Sequence, residues 1–400
     1  MLKSTKTITA VEAAELLKIK RETLYAYVSR GLVRSVGSRD RESLYLRADI
    51  LALLQTKLAR RGEIPPSSPA IHWGTPVLES SITNIKPGGP FYRGYSALDL
   101  AEGGFSFENV AELIWSGILP GEPRIWPIEK RKEKFAHGEA DPIRNFISIV
   151  ANELLSLPHP RKEQTADQVV KEARYLISRL AYAIGPSLGK KSAYRSSKAS
   201  PIAETILTGI GITDKHAERL INRALIVCAD HELTASTFAA RIAASTGAEY
   251  LACISTALGV FSGPEHGMTF IKVESMLRDI EAKKGDLDKH HRNLAEVSSH
   301  LLYQSGDPRS KPIIEYVKNH FPKNKKITRI IDFLGNYGNK EPILPTMDVA
   351  LLILTRALGV PSDLAPALFA LGRIAGLTAH ILEQCATGAM IRPRAKYVGK

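Results

Sequence analysis

The stretch ADHELTASTFAAR, Ala229–Arg241, constrains this chain most. The run before it, LINRALIVC (220–228), repeats Leu220, Ala224, Leu225 and Cys228 at steps of three and four, which places them on one helix face. Asp230, His231 and Glu232 then break the apolar pattern, and the small residues Thr234, Ala235, Ser236 and Thr237 follow. Three consecutive ionisable groups inside buried-type sequence cost free energy unless they are paired or in use. Small side chains beside them let another element or a ligand approach closely. On these residues alone His231 has two readings, a paired structural histidine or a site histidine.

The same helical period fills most of the chain. It predicts helices over roughly 143–156, 165–184, 201–210, 215–228, 235–260, 272–283, 311–320, 347–358 and 364–388. Strand signals are scarce: VLESSITNI has strand character, PGGPFYRGY is turn-rich, and FENVAELIWSG reads as an amphipathic helix carrying Trp115. Neither GxGxxG nor a Walker loop occurs, which excludes the nucleotide-binding α/β folds built on them. A length of 400 residues allows two or three domains with full cores. The formal net charge of +13 points to an anionic partner, whether nucleic acid, a phosphorylated cofactor or a polycarboxylate; solubility alone is the other account. Cys228, Cys253 and Cys385 lie far apart with no CxxC or zinc spacing, so they read as buried core residues and no metal is expected. MLKSTKTITA has no apolar core of a signal peptide and no run approaches the ~18 apolar residues of a membrane span, so the expectation is a cytoplasmic protein without membrane contact.

The N-terminus stands apart. Thr9 and Glu12 have capping-box spacing at the head of ITAVEAAELL (8–17). A tight connection at Lys18–Lys20 leads into RETLYAYVSRG, which Gly31 stops, and LVRSVGSRDRESLYL reads as a hairpin. A last helix runs from about Arg47 to Ala59, and RRGEIPPSSPA (60–70) is a linker by composition. This segment resembles the winged helix-turn-helix of the MerR or excisionase type, although Leu46 stands where a serine-like cap is usual. The resemblance implies a major-groove helix with Arg21, Thr23, Tyr25 and Arg30 facing duplex DNA, and a wing that carries Arg39 and Arg41. A module that only packs on the rest of the protein is the alternative.

Further motifs follow the opening stretch: GPEHG (263–267), SHLLYQSGDPRS (299–310), PTMD (345–348), LGRIAG (371–376) and IRPRAKYVG (391–399). In order and spacing, from about residue 80 to the C-terminus, the series resembles that of citrate synthases. The resemblance implies an all-α fold of large and small helical domains preceded by the small winged helix-turn-helix domain. The implied boundaries are 1–62 for the helix-turn-helix domain, 63–70 for the linker, 71–267 with 349–400 for the large domain, and 268–348 for the small one. It implies condensation of acetyl-CoA with oxaloacetate to citrate and coenzyme A, with no permanently bound cofactor and a coenzyme A thioester as co-substrate.

Carried over motif by motif, Asp348 is the base that takes the thioester methyl proton, His266 stabilises the enol, and His300 hydrogen-bonds and protonates the ketone. His231, Arg309 and Arg373 hold oxaloacetate, and Arg392 reaches it from the other subunit of a homodimer. That chemistry suits these residue types. A thioester methyl is a very weak carbon acid that needs a nearby base and an enolate donor, and carboxylates favour arginine forks. Each residue also has a structural account: His266 in a Gly-Pro turn, His300 in an amphipathic stretch, Asp348 as a helix cap, Arg309 in an Asp-Pro turn. Arg373, on an otherwise apolar helix, fits such an account least. Lys311 is a weak candidate for the coenzyme A nucleotide. The chain departs from the family pattern at Thr234, at Met268, Thr269 and Phe270, and at Ser299 and Leu301. Two other readings remain open: a 2-methylcitrate synthase using propionyl-CoA, and a metabolite-sensing transcription regulator without turnover.

Overall fold

The computed structural model describes residues 7–30, 32–39, 42–46, 49–50, 53, 78–126, 141–157, 164–190, 199–282, 302–303, 306–322, 324–335 and 344–393. The chain divides into two compact units, one N-terminal and one spanning Ser80–Arg392.

In the N-terminal unit, Thr9 and Glu12 form the capping box that their spacing predicts. The Thr9 hydroxyl accepts from the Glu12 N–H at 3.3 Å, and the Glu12 carboxylate accepts from the Thr9 N–H at 2.9 Å. The helices α1 (Ala10–Leu17) and α2 (Arg21–Ser29) are separated by a turn in which Lys18 takes the left-handed conformation, φ 50°. Strands β2 (Ser35–Arg39) and β3 (Glu42–Leu46) pair antiparallel as the wing, with Arg39 opposite Glu42. Residues 7–9 form a strand, β1 (Thr7–Thr9), on the other side of β3, so the order is β1-β3-β2 and the first helix starts later than the sequence reading has it. Ile8, Ala13, Leu17, Leu24, Val33, Tyr45 and Ile50 close a separate small core. The Arg34 guanidinium donates to both Asp49 carboxylate oxygens, at 3.0 and 2.8 Å, and the Arg34 N–H donates to one of them at 2.9 Å. That fork fastens the wing to the helical residues 49, 50 and 53.

The second unit is helical apart from a small meander of β4 (Thr83–Lys86), β5 (Gly89–Tyr92) and β6 (Tyr95–Ser96). It continues through α3 (Ala97–Glu102), α4 (Phe107–Ser116), α5 (Pro142–Ser156), α6 (Ala166–Ser187), α7 (Ile202–Ile210) and α8 (Lys215–Cys228). The segment read as one helix over 235–260 is two, α9 (Ala235–Ser245) and α10 (Tyr250–Phe261), because the chain turns at Gly247, φ 77°. Then come α11 (Phe270–Glu281), α12 (Lys311–His320), α13 (Lys325–Gly335), α14 (Met347–Leu358) and α15 (Leu364–Thr387). The periodicity reading did not include α13.

Helix α15 is the axis of this unit and packs on α4, α5, α6, α8, α9, α10 and α14. By length and composition it could cross a membrane, but 94% of its apolar window is buried among these neighbours. Its apolar residues are the centre of the protein core. One stripe of it, Arg373, Gly376 and His380, faces the ADHEL turn rather than aliphatic side chains.

Candidate active site

The ADHEL turn begins where α8 ends. The Tyr92 hydroxyl, buried on β5, lies 3.1 to 3.3 Å from the carbonyls of Ile226, Val227 and Asp230 and fixes this helix end. The chain then lies directly on α15. The Gly376 N–H donates to the Ala229 carbonyl at 2.9 Å, and a Cβ at Gly376 would come within 2.2 Å of an Asp230 carboxylate oxygen. Only glycine allows that approach. Asp230 and His380 are both fully buried, with carboxylate and Nε2 3.4 Å apart. Burial would push the Asp230 carboxyl up, but His380 and Arg373 outweigh it and hold it below its ordinary value. The oxygen that meets His380, Oδ2, also accepts the Glu232 N–H at 3.1 Å, which closes a turn with Glu232 at φ 57°, a conformation uncommon for a side chain of that size.

This turn presents His231, buried, with Nε2 2.9 Å from the Tyr303 hydroxyl. Beyond it the Thr234 hydroxyl caps α9, accepting from the Thr237 N–H at 3.4 Å. Ser236, in the first turn of α9, meets His266: Oγ and Nε2 are 2.9 Å apart. Burial, with Arg373 second, lowers the His266 imidazole to about 4, so the ring is neutral at neutral pH.

Two segments distant in sequence join on the other side. Gly306, at φ 87°, bridges to Leu344 in parallel, so close that a Cβ would meet the Leu344 carbonyl at 2.0 Å. This contact brings the GDPR turn beside PTMD. Arg309 and Asp307 are both buried and form a two-pronged pair, Nε to Oδ1 at 2.9 Å and Nη2 to Oδ2 at 2.6 Å. Burial opposes the Arg309 charge, yet Asp307 more than offsets it and raises its pKa. Asp348 sits in the first turn of α14 and accepts from the Thr269 hydroxyl at 2.6 Å. Burial raises its carboxyl to about 6, against the opposing pull of Thr269 and Arg309.

Arg373 enters from α15. Its Nε donates to the Cys228 carbonyl at 3.2 Å, and its guanidinium lies 5.2 Å from the Phe369 ring centre. Burial, with the like charge of Arg309, pulls its pKa down even against Asp230. Arg373 Nη2 and Arg309 Nη1 are buried and have no hydrogen-bond partner among the described residues. The Cys228 thiol, pushed up to about 12 by burial, lies in the fields of Arg309, Arg373, Asp307 and Asp348.

The structure thus gathers His231, His266, Arg309, Asp348 and Arg373. His300 lies outside the described residues. Arg392 is exposed at the end of the unit and joins no hydrogen bond or ion pair among the described residues. Lys311 is exposed and lies 4.0 Å from Glu315. In the N-terminal unit Arg21, Thr23, Tyr25 and Arg30 are exposed on or at the end of α2, Arg39 ends β2, and Arg41 lies outside the described residues. Sequence reasoning missed Ser236, Thr269, Tyr303 and the Asp230–His380 pair. The signals for them were indirect: the need of Asp230 for a partner, the small residues after ADHEL, and the departure from the family pattern at Thr269.

The citrate synthase C-terminal domain model matches residues 71–394, and a helix-turn-helix domain model matches residues 7–57. Citrate synthase 2 of Bacillus subtilis is 28% identical over 354 residues, 82% of this chain and 94% of that protein. 2-Methylcitrate synthase 2 of Corynebacterium glutamicum is 26% identical over 349 residues, 77% of this chain and 88% of that protein. Among solved structures, citrate synthase from Thermotoga maritima superposes with a TM-score of 0.61 at 27% identity, covering 82% of this chain and 94% of that one. The ternary complex of Thermoplasma acidophilum citrate synthase with carboxymethyl coenzyme A and oxaloacetate superposes at 0.68 with 24% identity, covering 84% and 97%, and this likeness speaks for the fold. With four-fifths of its length under one family model and five of the motif residues in one cluster, the chain belongs to the citrate synthase family and carries a helix-turn-helix domain at its N-terminus.

Proposed function

We propose that this chain condenses acetyl-CoA with oxaloacetate and releases citrate and coenzyme A. The observation that carries the reading is the pair of buried guanidinium nitrogens, Arg309 Nη1 and Arg373 Nη2, left without partners beside Asp348 and His266. Buried unpaired donors are costly in the free protein, and a dicarboxylate supplies the acceptors they lack. The carboxylate of Asp348, with a value of about 6, is ionised at neutral pH and retains affinity for a carbon-bound proton. His266, neutral and with Nε2 turned to Ser236, offers Nδ1–H to the thioester oxygen as the enolate forms. His231 donates from the remaining side of the turn, and His300, by its motif, polarises the ketone. Carbon–carbon bond formation gives a citryl thioester, and water cleaves it.

The reading extends to a homodimer in which Arg392 serves the neighbouring site, and to closure of the segment 268–348 over the substrates. Three cysteines without disulfides suit a reducing, cytoplasmic setting. The exposed cations of α2 support binding of duplex DNA by the N-terminal domain. The test is thiol release with oxaloacetate and a panel of acyl-CoA thioesters. Preference for the acetyl ester supports the proposal, and preference for the propionyl ester makes the chain a 2-methylcitrate synthase, as one relative is named. Release with none of them leaves the sensing regulator, the reading that the helix-turn-helix domain favours.

A further inference from the structure

Thr269 is one of the positions where the chain departs from its family pattern, and the hydroxyl there does something its place in the fold does not require. It is the N-cap of α11, where a threonine normally accepts from a backbone N–H of the first turn. Its side chain makes no such bond. Instead the hydroxyl faces two acceptors, Asp348 Oδ2 at 2.6 Å and the His266 carbonyl at 3.1 Å. A hydroxyl has one hydrogen, so it serves one of them fully at a time. The shorter distance is that of an O–H bond to an ionised carboxylate. Asp348 Oδ1 has no hydrogen bond among the described residues. The charged groups that face this carboxylate are Arg309 and Asp307, and the neutral Cys228 thiol is also within its field.

We infer that Thr269 is a positioning residue for the base: it holds Asp348 Oδ2, leaves Oδ1 as the oxygen that takes the substrate proton, and turns to the His266 carbonyl once the carboxyl is neutral. The inference rests on the reading of Asp348 as base. In the step, the C–H bond next to the thioester carbonyl breaks. Its proton forms an O–H bond at Oδ1, and its electron pair passes into the enolate. Thr269 keeps its hydrogen throughout and only changes acceptor. Because its hydroxyl is bound to the backbone of the GPEHG turn in one state and to the base in the other, protonation of Asp348 is felt at the turn that carries His266.

The test is the titration of the Asp348 carboxyl in the full-length protein, followed by carbon-13 NMR and assigned by its loss in Asp348→Asn. In Thr269→Val the midpoint should rise by about one pH unit, and the acid limb of kcat/KM should rise with it while KM for oxaloacetate holds. Thr269→Ser should restore both. An unmoved midpoint in Thr269→Val, or in Thr269→Ala where the valine variant does not fold, overturns the inference. A wild-type protein that titrates as described but releases no thiol with any acyl-CoA overturns the reading of Asp348 as base. That failure is distinct from an unmoved midpoint.

Discussion

Replacing Asp348 with asparagine should make the protein more stable while it abolishes thiol release. The carboxyl is raised from 3.8 to about 6, chiefly by burial. The rise is about two pH units, and at about 1.4 kcal/mol per unit the folded state carries ionised Asp348 at a cost of about 3 kcal/mol. The sign follows from proton uptake. Between pH 3.8 and about 6 the folded chain holds a proton that the unfolded chain has lost, so stability falls as pH rises through that window. The cost is present in full above it. Asparagine cannot ionise, yet it keeps an oxygen for the Thr269 hydroxyl. The partial exposure of the side chain reduces the expected gain at pH 8 to about 1–3 kcal/mol, with about half of it remaining at pH 5. Urea unfolding of both proteins at the two pH values measures the difference. An asparagine variant no more stable than wild type at pH 8, or a gap that does not change with pH, refutes the argument that burial of this base is an energetic cost.

The two arginines should respond in opposite ways to loss of charge. Arg373→Met should leave thermal stability unchanged or higher but weaken oxaloacetate binding by more than about 100-fold in calorimetry, since a charged fork is lost. Arg309→Met strands the buried Asp307 and should cost about 3–5 kcal/mol of stability; an unchanged melting temperature contradicts this. Mixing Asp348→Ala with Arg392→Ala subunits should restore some activity through heterodimers, and light scattering that finds an active monomer rules out the shared site. The full-length protein should bind duplex DNA with affinity that falls steeply as salt rises, and deletion of 1–62 should abolish this while thiol release persists. Failure to bind at low salt makes the N-terminal domain a packing module.

Helices were legible where the apolar period was clean. LINRALIVC became the end of α8, and the Thr9/Glu12 spacing became a capping box. The period failed where it ran on through a break. Alanines recur on both sides of STGAEY (245–250) in phase enough to read as one helix, and the positive φ of Gly247 shows that the chain turns there. It failed again at β1, whose three residues are a strand only because β3 lies beside them. At the site, the acids, histidines and arginines were legible as types in motifs. Their tuning was not, because the groups responsible are remote. Thr269 is 79 residues from Asp348, Ser236 is 30 from His266, and His380 is 150 from Asp230. No local pattern encodes such pairs; the folded backbone brings them together.

Arg373 shows why the difficulty in the sequence was informative. A cation between Gly372 and Ile374 on a core helix works against the burial that holds the helix in place. The fold does not remove that conflict; it shares it out. Gly376, one turn on, lets Asp230 lie against α15, and His380, two turns on, offsets the Asp230 charge. Asp230 in turn supplies the field that opposes the desolvation of Arg373. The helix stripe and the ADHEL turn are therefore a single electrostatic unit, and the three consecutive ionisable residues of the turn do different work. Asp230 holds the turn to the helix, His231 faces the cluster, and Glu232 absorbs the backbone strain. The compensation is incomplete. Arg373 Nη2 stays unpartnered, as does Arg309 Nη1 across the cluster, and both belong to residues whose fields already overlap. An interior that ties Arg309 to Asp307 and Arg373 to the Cys228 carbonyl, yet leaves buried guanidinium nitrogens open on both, suits the proposed dicarboxylate, which brings its own acceptors.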